Sequence, residues 1–373
     1  MDSGRSDENF NVLLDARPLN GTRNGIGRYV EQLVREWPNV TAMNLTLISN
    51  RPIVTAVPLP SSIKIVVDGG IWRKIPGTFW LLLRAPGLAR ELKATHVLGT
   101  QHIVPVLGMA NTIKGVVIHD IVFNKFPETM QWTNRTIGKL LIPWSVRKAD
   151  RVFCVSDTTR SDLVAAYAPA QAKIDVAYPG CTFDNAEPFV PGNTSTRKLL
   201  AVGSIEPRKN IDKLLRAFLI MRKTSDDVTL DIVTGNAWGP ALSDEMKAAI
   251  LADKNINIHK NISDSALNDL YRAADILVFP SIYEGFGLPI LEAIGKCAII
   301  ANDIPVFREL DRFIDGISFV DFGGTDATAA QQLLAKTAHT APARFRDAAN
   351  SEIFSWRRCA EIISTKLSAA GKK

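Results

Sequence analysis

Residues 280–292 read PSIYEGFGLPILE. The stretch follows an apolar run, residues 275–279, whose composition predicts a buried parallel strand. A turn at Gly285-Phe286-Gly287 then leads toward Leu288 and a helix with Pro289 in its first turn. A strand that feeds glycines and then a helix start presents backbone N–H groups and the positive end of a dipole, which suits a phosphate. Two carboxylates bracket the turn. Glu284 stands just before it. Glu292 lies about one turn into the helix, where a carboxylate accepts hydrogen bonds from a diol such as a ribose.

The same strand–turn–helix grammar extends through the second half. A strand at residues 198–202 runs into Gly203-Ser204-Ile205-Glu206-Pro207-Arg208-Lys209-Asn210 and a helix ending near Arg222. Two adjacent cations at a strand-to-helix corner are unfavourable unless an anion sits there; Arg grips phosphate oxygens bidentately and Lys adds a compact charge. Further strands are predicted at residues 229–234, 256–259, 296–302 and 316–322, with a Ser263-capped helix over 263–271 and Glu309 on a later helix. Ser355-Trp356-Arg357 opens a final amphipathic helix with an exposed basic tail, and residues 184–197, rich in Pro, Gly, Ser and Thr, read as a linker.

The first half alternates in the same way. Residues 11–17 form a strand, 18–24 a loop, and Gly25-Ile26-Gly27-Arg28-Tyr29 opens a helix to about Trp37. A dinucleotide-binding loop needs a third glycine where Val30 stands, and its turn is tighter, so an oxidoreductase is disfavoured. Two glycines at a helix start still suit close approach of a phosphate or sugar; the alternative is that they serve only the loop. Short buried strands are predicted at residues 45–49, 63–67, 96–99, 115–119 and 151–156, and a last one at 173–181. Ser156 and Asp157 cap the helix that follows the fifth of these. His119 and Asp120 fall at the carboxyl end of a strand, where open α/β sheets place ligand-binding groups. Residues 71–93 mix Trp72, Phe79 and Trp80 with Arg73, Lys74, Arg84, Arg90 and Lys93, a composition suited to a membrane interface. Pro76-Gly77 and Pro86-Gly87 predict breaks there, leaving loop plus one helix.

The chain has 373 residues, enough for two domains, and its hydrophobic (46%) and charged (22%) fractions are those of a soluble globular protein. Four widely spaced cysteines form no C-x2-C pair, which argues against a zinc ribbon or disulfide framework and fits a reducing cytoplasm. The polar N-terminus is not a signal peptide, and no apolar run reaches the ~18 residues of a membrane span. The whole net charge of +6 falls in residues 1–185, with 21 Lys+Arg against 15 Asp+Glu. That imbalance points to an anionic partner, a membrane surface or phosphate-bearing lipid, or else serves solubility alone. No basic helix or aromatic-basic motif suggests nucleic acid.

Taken together, the Gly25–Tyr29 string, His119-Asp120, the run from Gly203 to Lys209, residues 263–270 and Tyr283 to Glu292 resemble the retaining glycosyltransferases of family 4, with the E-x7-E signature at Glu284 and Glu292. In look the chain is most similar to bacterial polysaccharide mannosyl- and hexosyltransferases. The resemblance implies an α/β GT-B fold of two Rossmann-like doubly wound domains facing across a cleft. The acceptor domain would be residues 1–185 and the nucleotide-sugar domain 186–352, with the helix of 353–373 crossing back to the first. It implies that Arg208 and Lys209 hold a diphosphate, Glu292 the ribose hydroxyls, and Glu284 the donor sugar near the backbone of Gly285, Phe286, Gly287 and Leu288. Gly25 and Gly27 would pack against the diphosphate from the opposite wall, with His119 facing the sugar. Ser204 departs from the family, where Arg is frequent, and leaves more phosphate neutralisation to Arg208 and Lys209.

No D-x-D occurs, so the metal-bridging carboxylates of other glycosyltransferases are missing and a metal-independent, retaining transfer without a cofactor is expected. Glu292 on the helix is badly placed for a glycosidase acid/base pair. GDP-mannose is favoured over UDP-sugars as donor, a lipid-linked or saccharide acceptor is expected, and peripheral contact with the inner face of the plasma membrane fits the basic first half. Two other readings remain: a catalytically silent sugar-nucleotide-binding scaffold, and another GT-B chemistry such as an epimerase or phosphorylase. A phosphorylase would need a longer chain and a pyridoxal lysine.

Overall fold

The structure is a computed structural model and describes residues 10–21, 24–126, 132–169, 171–183, 196–225, 227–235, 242–338 and 341–370. Most of the predicted linker, residues 184–195, and the basic tail, 371–373, lie outside these. The chain divides into two compact units, residues 1–180 with 352–373, and residues 181–351. The junctions, 180/181 and 351/352, fall before those read from the sequence, 185/186 and 352/353.

The first unit contains β1 (Asn11–Asp15), α1 (Gly25–Val40), β2 (Asn44–Ser49), β3 (Lys64–Val67), α2 (Gly77–Glu91), β4 (His96–Gly99), β5 (Ile113–Ile118), α3 (Val122–Lys125), α4 (Trp132–Lys148), β6 (Arg151–Cys154), α5 (Asp157–Tyr167) and β7 (Ile174–Val176). Its seven strands are parallel in the order β3-β2-β1-β4-β5-β6-β7, with Leu14 opposite both Leu47 and Leu98. The apolar strands β1, β4 and β6 are buried on both faces, as a parallel sheet covered by helices requires. The expected burial fails at β3: it is an edge strand, with Ile65 45% and Val67 41% exposed.

Three further readings are corrected. The expected strand over 173–181 shrinks to the three residues of β7: Lys173 before it donates through Nζ to the carbonyls of Val146, Arg147 and Ala149, and after Ala177, whose N–H still donates to the Cys154 carbonyl, the chain leaves the sheet to run against Trp356 at Gly180. Pro86-Gly87 does not interrupt α2. The helix runs through it, with Trp80, Leu81, Ala85, Pro86, Leu88 and Ala89 buried. Packing of that face outweighs the penalty of an interior proline, about 3 kcal/mol. The helix opened by Gly25 extends past Trp37 to Val40 despite Pro38.

The chain's last element, the helix Trp356–Ala370, belongs to this unit and packs on α1. Tyr29 and Trp356 meet edge-to-face at 5.5 Å, and Tyr29 Oη lies 3.4 Å from Cys359 Sγ. Backbone contact is close: a Cβ on Gly180 would fall 2.2 Å from the Trp356 nitrogen, and one on Gly115 would fall 2.7 Å from Leu367 Cδ2.

The second unit contains β8 (Arg197–Val202), α6 (Ile211–Arg222), β9 (Val228–Thr234), α7 (Asp244–Ala252), β10 (Ile256–Lys260), α8 (Asp264–Ala273), β11 (Ile276–Phe279), α9 (Leu288–Ala293), β12 (Ala298–Asn302), α10 (Pro305–Asp311), β13 (Ile314–Asp315), β14 (Ile317–Val320), α11 (Asp326–Lys336) and β15 (Arg344–Phe345); the boundary falls within α12 (Ala348–Ile353), and α13 (Trp356–Ala370) belongs to the first unit. Six strands lie in the order β10-β9-β8-β11-β12-β14, all parallel, and β13 pairs antiparallel with β15. Ser263 caps α8 as expected, its side chain accepting from Ala266 N. Both large sheets are doubly wound. Their strand order reverses between β1 and β4 in the first and between β8 and β11 in the second, and ligand crevices form at the carboxyl ends of such strand pairs.

Candidate active site

In the second unit the strand after the reversal and the strand before it bring two distant motifs together. β8 leads into the corner holding Arg208 and Lys209, and β11 leads into the turn holding Glu284. The corner is stitched to the turn by backbone: Ile282 N donates to the Arg208 carbonyl (2.9 Å), and Asn210 Nδ2 to the Pro280 carbonyl (3.2 Å). Asn210 adopts a left-handed conformation, φ 56°, which asparagine tolerates and which redirects the chain into α6.

The anion expected beside the two cations is present within the chain. Arg208 Nη1 donates to Glu284 Oε2 at 3.2 Å, and Lys209 Nζ donates to Oε1 at 2.5 Å while standing 5.5 Å over the Phe279 ring. Glu284 is only 8% exposed. Burial alone pushes its pKa up, but Lys209 and then Arg208 overcome that and hold it below the ordinary carboxylate range. The carboxylate is therefore ionised at neutral pH, and the cations are pre-positioned rather than freely swinging. A ligand carrying two phosphates would share them with Glu284.

The turn itself is fixed by Gly287. Its φ of +116° is strained for any side chain, and a Cβ there would sit 3.0 Å from Phe307 Cε1. Gly285 and Phe286 are buried, and Leu288 is half-buried at the start of α9. Glu292 lies on α9 as read from the sequence, but it is 1% exposed and its Oε2 accepts from Tyr271 Oη at 2.9 Å. Lys296 Nζ donates to the Glu292 carbonyl (2.7 Å), fastening the end of this short helix. Ser204, where the resemblance expects Arg, is half-buried.

In the first unit the reversal point is built by Asp15, Thr100 and His119. Thr100 Oγ1 donates to the Asp15 carbonyl (2.5 Å), tying β4 to β1, and the His119 Nε2 donates to the Thr100 carbonyl (2.8 Å). A carbonyl only accepts, so Nε2 carries the proton and Nδ1 is left as an acceptor. Burial, then the neighbouring His102, push the His119 pKa down to about 4. The ring is neutral at physiological pH: it can accept a hydrogen bond from a sugar hydroxyl and cannot deliver a proton.

His102 was not singled out in the sequence. It stands 5.5 Å from His119, edge-on, at a left-handed φ of 62° that is uncommon outside glycine. Its Nδ1 is buried without a partner among the described residues, and burial lowers its pKa. The available signal was positional: Gln101-His102 follows β4 as His119-Asp120 follows β5.

Gly25 and Gly27 occupy different settings. Gly25 is exposed, with open space where a Cβ would stand. Gly27 is buried, its N–H is taken by the Asn24 side chain at 2.9 Å, and a Cβ would lie 2.8 Å from the Pro18 carbonyl. Packing of α1 on the preceding loop thus requires Gly27 whatever else it does.

The profile described as Glycosyltransferase Family 4 matches residues 23–184, and the profile Glycosyl transferases group 1 matches residues 184–334. The O-antigen chain mannosyltransferase RfbU of Salmonella typhimurium is 30% identical over 235 residues, 62% of each chain. The serotype-specific mannosyltransferase WbdA of Escherichia coli is 29% identical over 278 residues, 67% of this chain and 33% of its own. The chain therefore spans about three fifths of the first relative and one third of the second. In fold it is similar to WaaG, a glycosyltransferase involved in lipopolysaccharide biosynthesis (TM-score 0.67, 13% identity, 96% of this chain and 98% of that one).

Proposed function

Since this chain belongs to the family 4 glycosyltransferases and has the GT-B fold, we propose that it transfers a hexose from a nucleoside diphosphate sugar to a saccharide or lipid-linked acceptor in surface-polysaccharide synthesis. Mannose from GDP-mannose is the favoured donor group, in keeping with the named activities of RfbU and WbdA. The transfer retains configuration and uses no metal.

The observation that carries this reading is the gathering of Arg208, Lys209 and Glu284 at the point where the second sheet reverses. Breaking the anomeric C–O bond leaves its electron pair on a phosphate oxygen. Fixed cations stabilise that developing charge without reorganising at the moment of reaction. Glu284 holds both cations in place and lies against the donor sugar as positive charge grows at the anomeric carbon. The acceptor oxygen bonds to that carbon on the face the phosphate leaves, and its proton passes to the departing phosphate oxygen. Within the first unit, neutral His119 can accept a hydrogen bond from a sugar hydroxyl through Nδ1 and takes no proton. The first unit supplies the acceptor site, and its excess of positive charge favours peripheral contact with an anionic membrane face. No helix among the described residues is long and apolar enough to cross a membrane.

The test is product stereochemistry. The one-bond C1–H1 coupling at the new anomeric centre, read with GDP-mannose and an oligosaccharide acceptor in EDTA, should report the donor's configuration. An inverted product, or activity that vanishes with EDTA, would overturn the mechanism.

A further inference from the structure

The segments that follow β2 and β3 enclose an open hollow of about 630 Å³ lined by Arg51, Gly70, Arg73 and Lys74. Three cations around one concavity repel one another unless something compensates. Nearby cations are compensated: Arg17 pairs with Asp15 at 2.7 Å, and Arg84 with Asp68 and Glu91. Arg51, Arg73 and Lys74 have no ion-pair partner among the described residues. Gly70, at φ +58°, leaves the backbone side of the hollow open, with nothing within 4 Å of where a Cβ would stand.

The same two segments turn apolar side chains outward. Val54 (58%) and Val57 (43%) follow Arg51, and Ile71 (73%) lies between Gly70 and Arg73. In the helix that follows, α2 exposes Phe79 and Leu83, four residues apart on one face. Charge in a hollow, with exposed apolar side chains in the segments that build it, is the complement of an amphiphile with a phosphate head.

Position supplies the third observation. The hollow lies at the carboxyl ends of β2 and β3, the same edge of the sheet as His102 and His119. Neighbouring strands are about 4.8 Å apart, so the hollow stands on the order of 10 Å from the reversal between β1 and β4. A group bound there reaches the reversal point through one or two sugar rings.

We infer that this hollow is the subsite for the phosphate groups of a lipid-linked acceptor. The mono- or diphosphate sits among Arg51, Arg73 and Lys74, the hydrocarbon runs over Ile71, Val54 and Val57, and the sugar extends toward His119. Arg suits phosphate oxygens bidentately and Lys adds a point charge. The inference rests on the acceptor reading above and narrows it from a saccharide to a lipid phosphate.

Calorimetric titration of the full chain with farnesyl diphosphate, inorganic pyrophosphate and farnesol tests it. With the donor site disabled by Lys209→Ala, farnesyl diphosphate should still bind, and should bind at least about tenfold more weakly when Arg73→Glu/Lys74→Glu or Arg51→Glu is added to that background. Ile71→Ser should weaken farnesyl diphosphate several-fold and leave pyrophosphate unchanged. Binding that survives the charge reversals in the Lys209→Ala background, or that this background lacks altogether, would place the probe elsewhere and overturn the inference. Pyrophosphate binding as tightly as farnesyl diphosphate, with Ile71→Ser silent, would make the ligand a soluble phosphate and overturn the lipid assignment. Hydrolysis of GDP-mannose by the wild-type chain without acceptor reads the transferase proposal separately, so the two fail independently.

Discussion

Glu284→Gln isolates the charge at the centre of the second unit's site while keeping its shape. In the native chain Glu284 accepts from Lys209 at 2.5 Å and Arg208 at 3.2 Å in a pocket that leaves it 8% exposed. Hydrogen bonds to charged groups contribute about 1.5–3 kcal/mol each. Because Arg208 and Lys209 are themselves 21% and 15% exposed, solvent screens part of that, and a net loss of about 2–4 kcal/mol is expected. For a unit of this size that lowers the melting temperature by about 6–12 °C at neutral pH. The pH dependence fixes the cause. A carboxylate whose folded pKa lies below its unfolded value contributes stability that is fully present above the unfolded pKa, about 4.3, and is lost as pH falls through the folded value. Melting curves of wild type and Glu284→Gln should therefore differ most at pH 5–7 and converge below pH 4. A difference that is constant with pH, or that persists in strong acid, would refute the claim that Lys209 and Arg208 outweigh burial at this carboxylate.

Three other outcomes are expected. His119, with a pKa of about 4, should show an NMR ring titration near that value with the proton on Nε2; because the unfolded ring binds its proton near 6.5, this residue lowers stability as pH falls from 6.5 to 4. Gly287→Ala forces a Cβ against Phe307 at φ +116° and should cost about 2–3 kcal/mol in urea unfolding, whereas Gly25→Ala, with open space around it, should be nearly silent in stability. Gly180→Ala places a Cβ 2.2 Å from the Trp356 nitrogen, so hydrogen exchange over residues 356–370 should accelerate strongly if this contact docks the last helix.

Much of the fold was legible because parallel strands buried on both faces appear as short apolar runs, and their ends were missed by only one or two residues at β8, β9 and β12. The failures share a cause. At α2, burial of Trp80, Leu81 and Pro86 overrode a local proline signal, and after β7, packing of Gly180 against Trp356 drew off residues that read as strand. The site was legible as motifs and not as contacts. Arg208 and Lys209 called for an anion, but its identity as Glu284, 75 residues away, depends on β8 and β11 being neighbours in the sheet. His102 escaped notice because one histidine after one short strand carries no pattern until β4 and β5 are seen side by side. The hollow at Arg51, Arg73 and Lys74 gathers residues from two loops, and only the pairing of β2 with β3 brings those loops together.

The central claim is that the second unit binds a nucleoside diphosphate sugar through Lys209 and Arg208. It is tested most directly by the thermal stabilisation of wild type and Lys209→Met against GDP-, UDP-, ADP- and dTDP-sugars, each with and without EDTA. A ligand that binds only the folded state raises the transition by mass action, about 2.7 kcal/mol at a hundredfold excess over Kd. GDP-mannose should raise the transition by an amount that EDTA leaves unchanged and that Lys209→Met abolishes. A rise that survives in Lys209→Met, or no rise with any nucleotide sugar on folded protein, would contradict it.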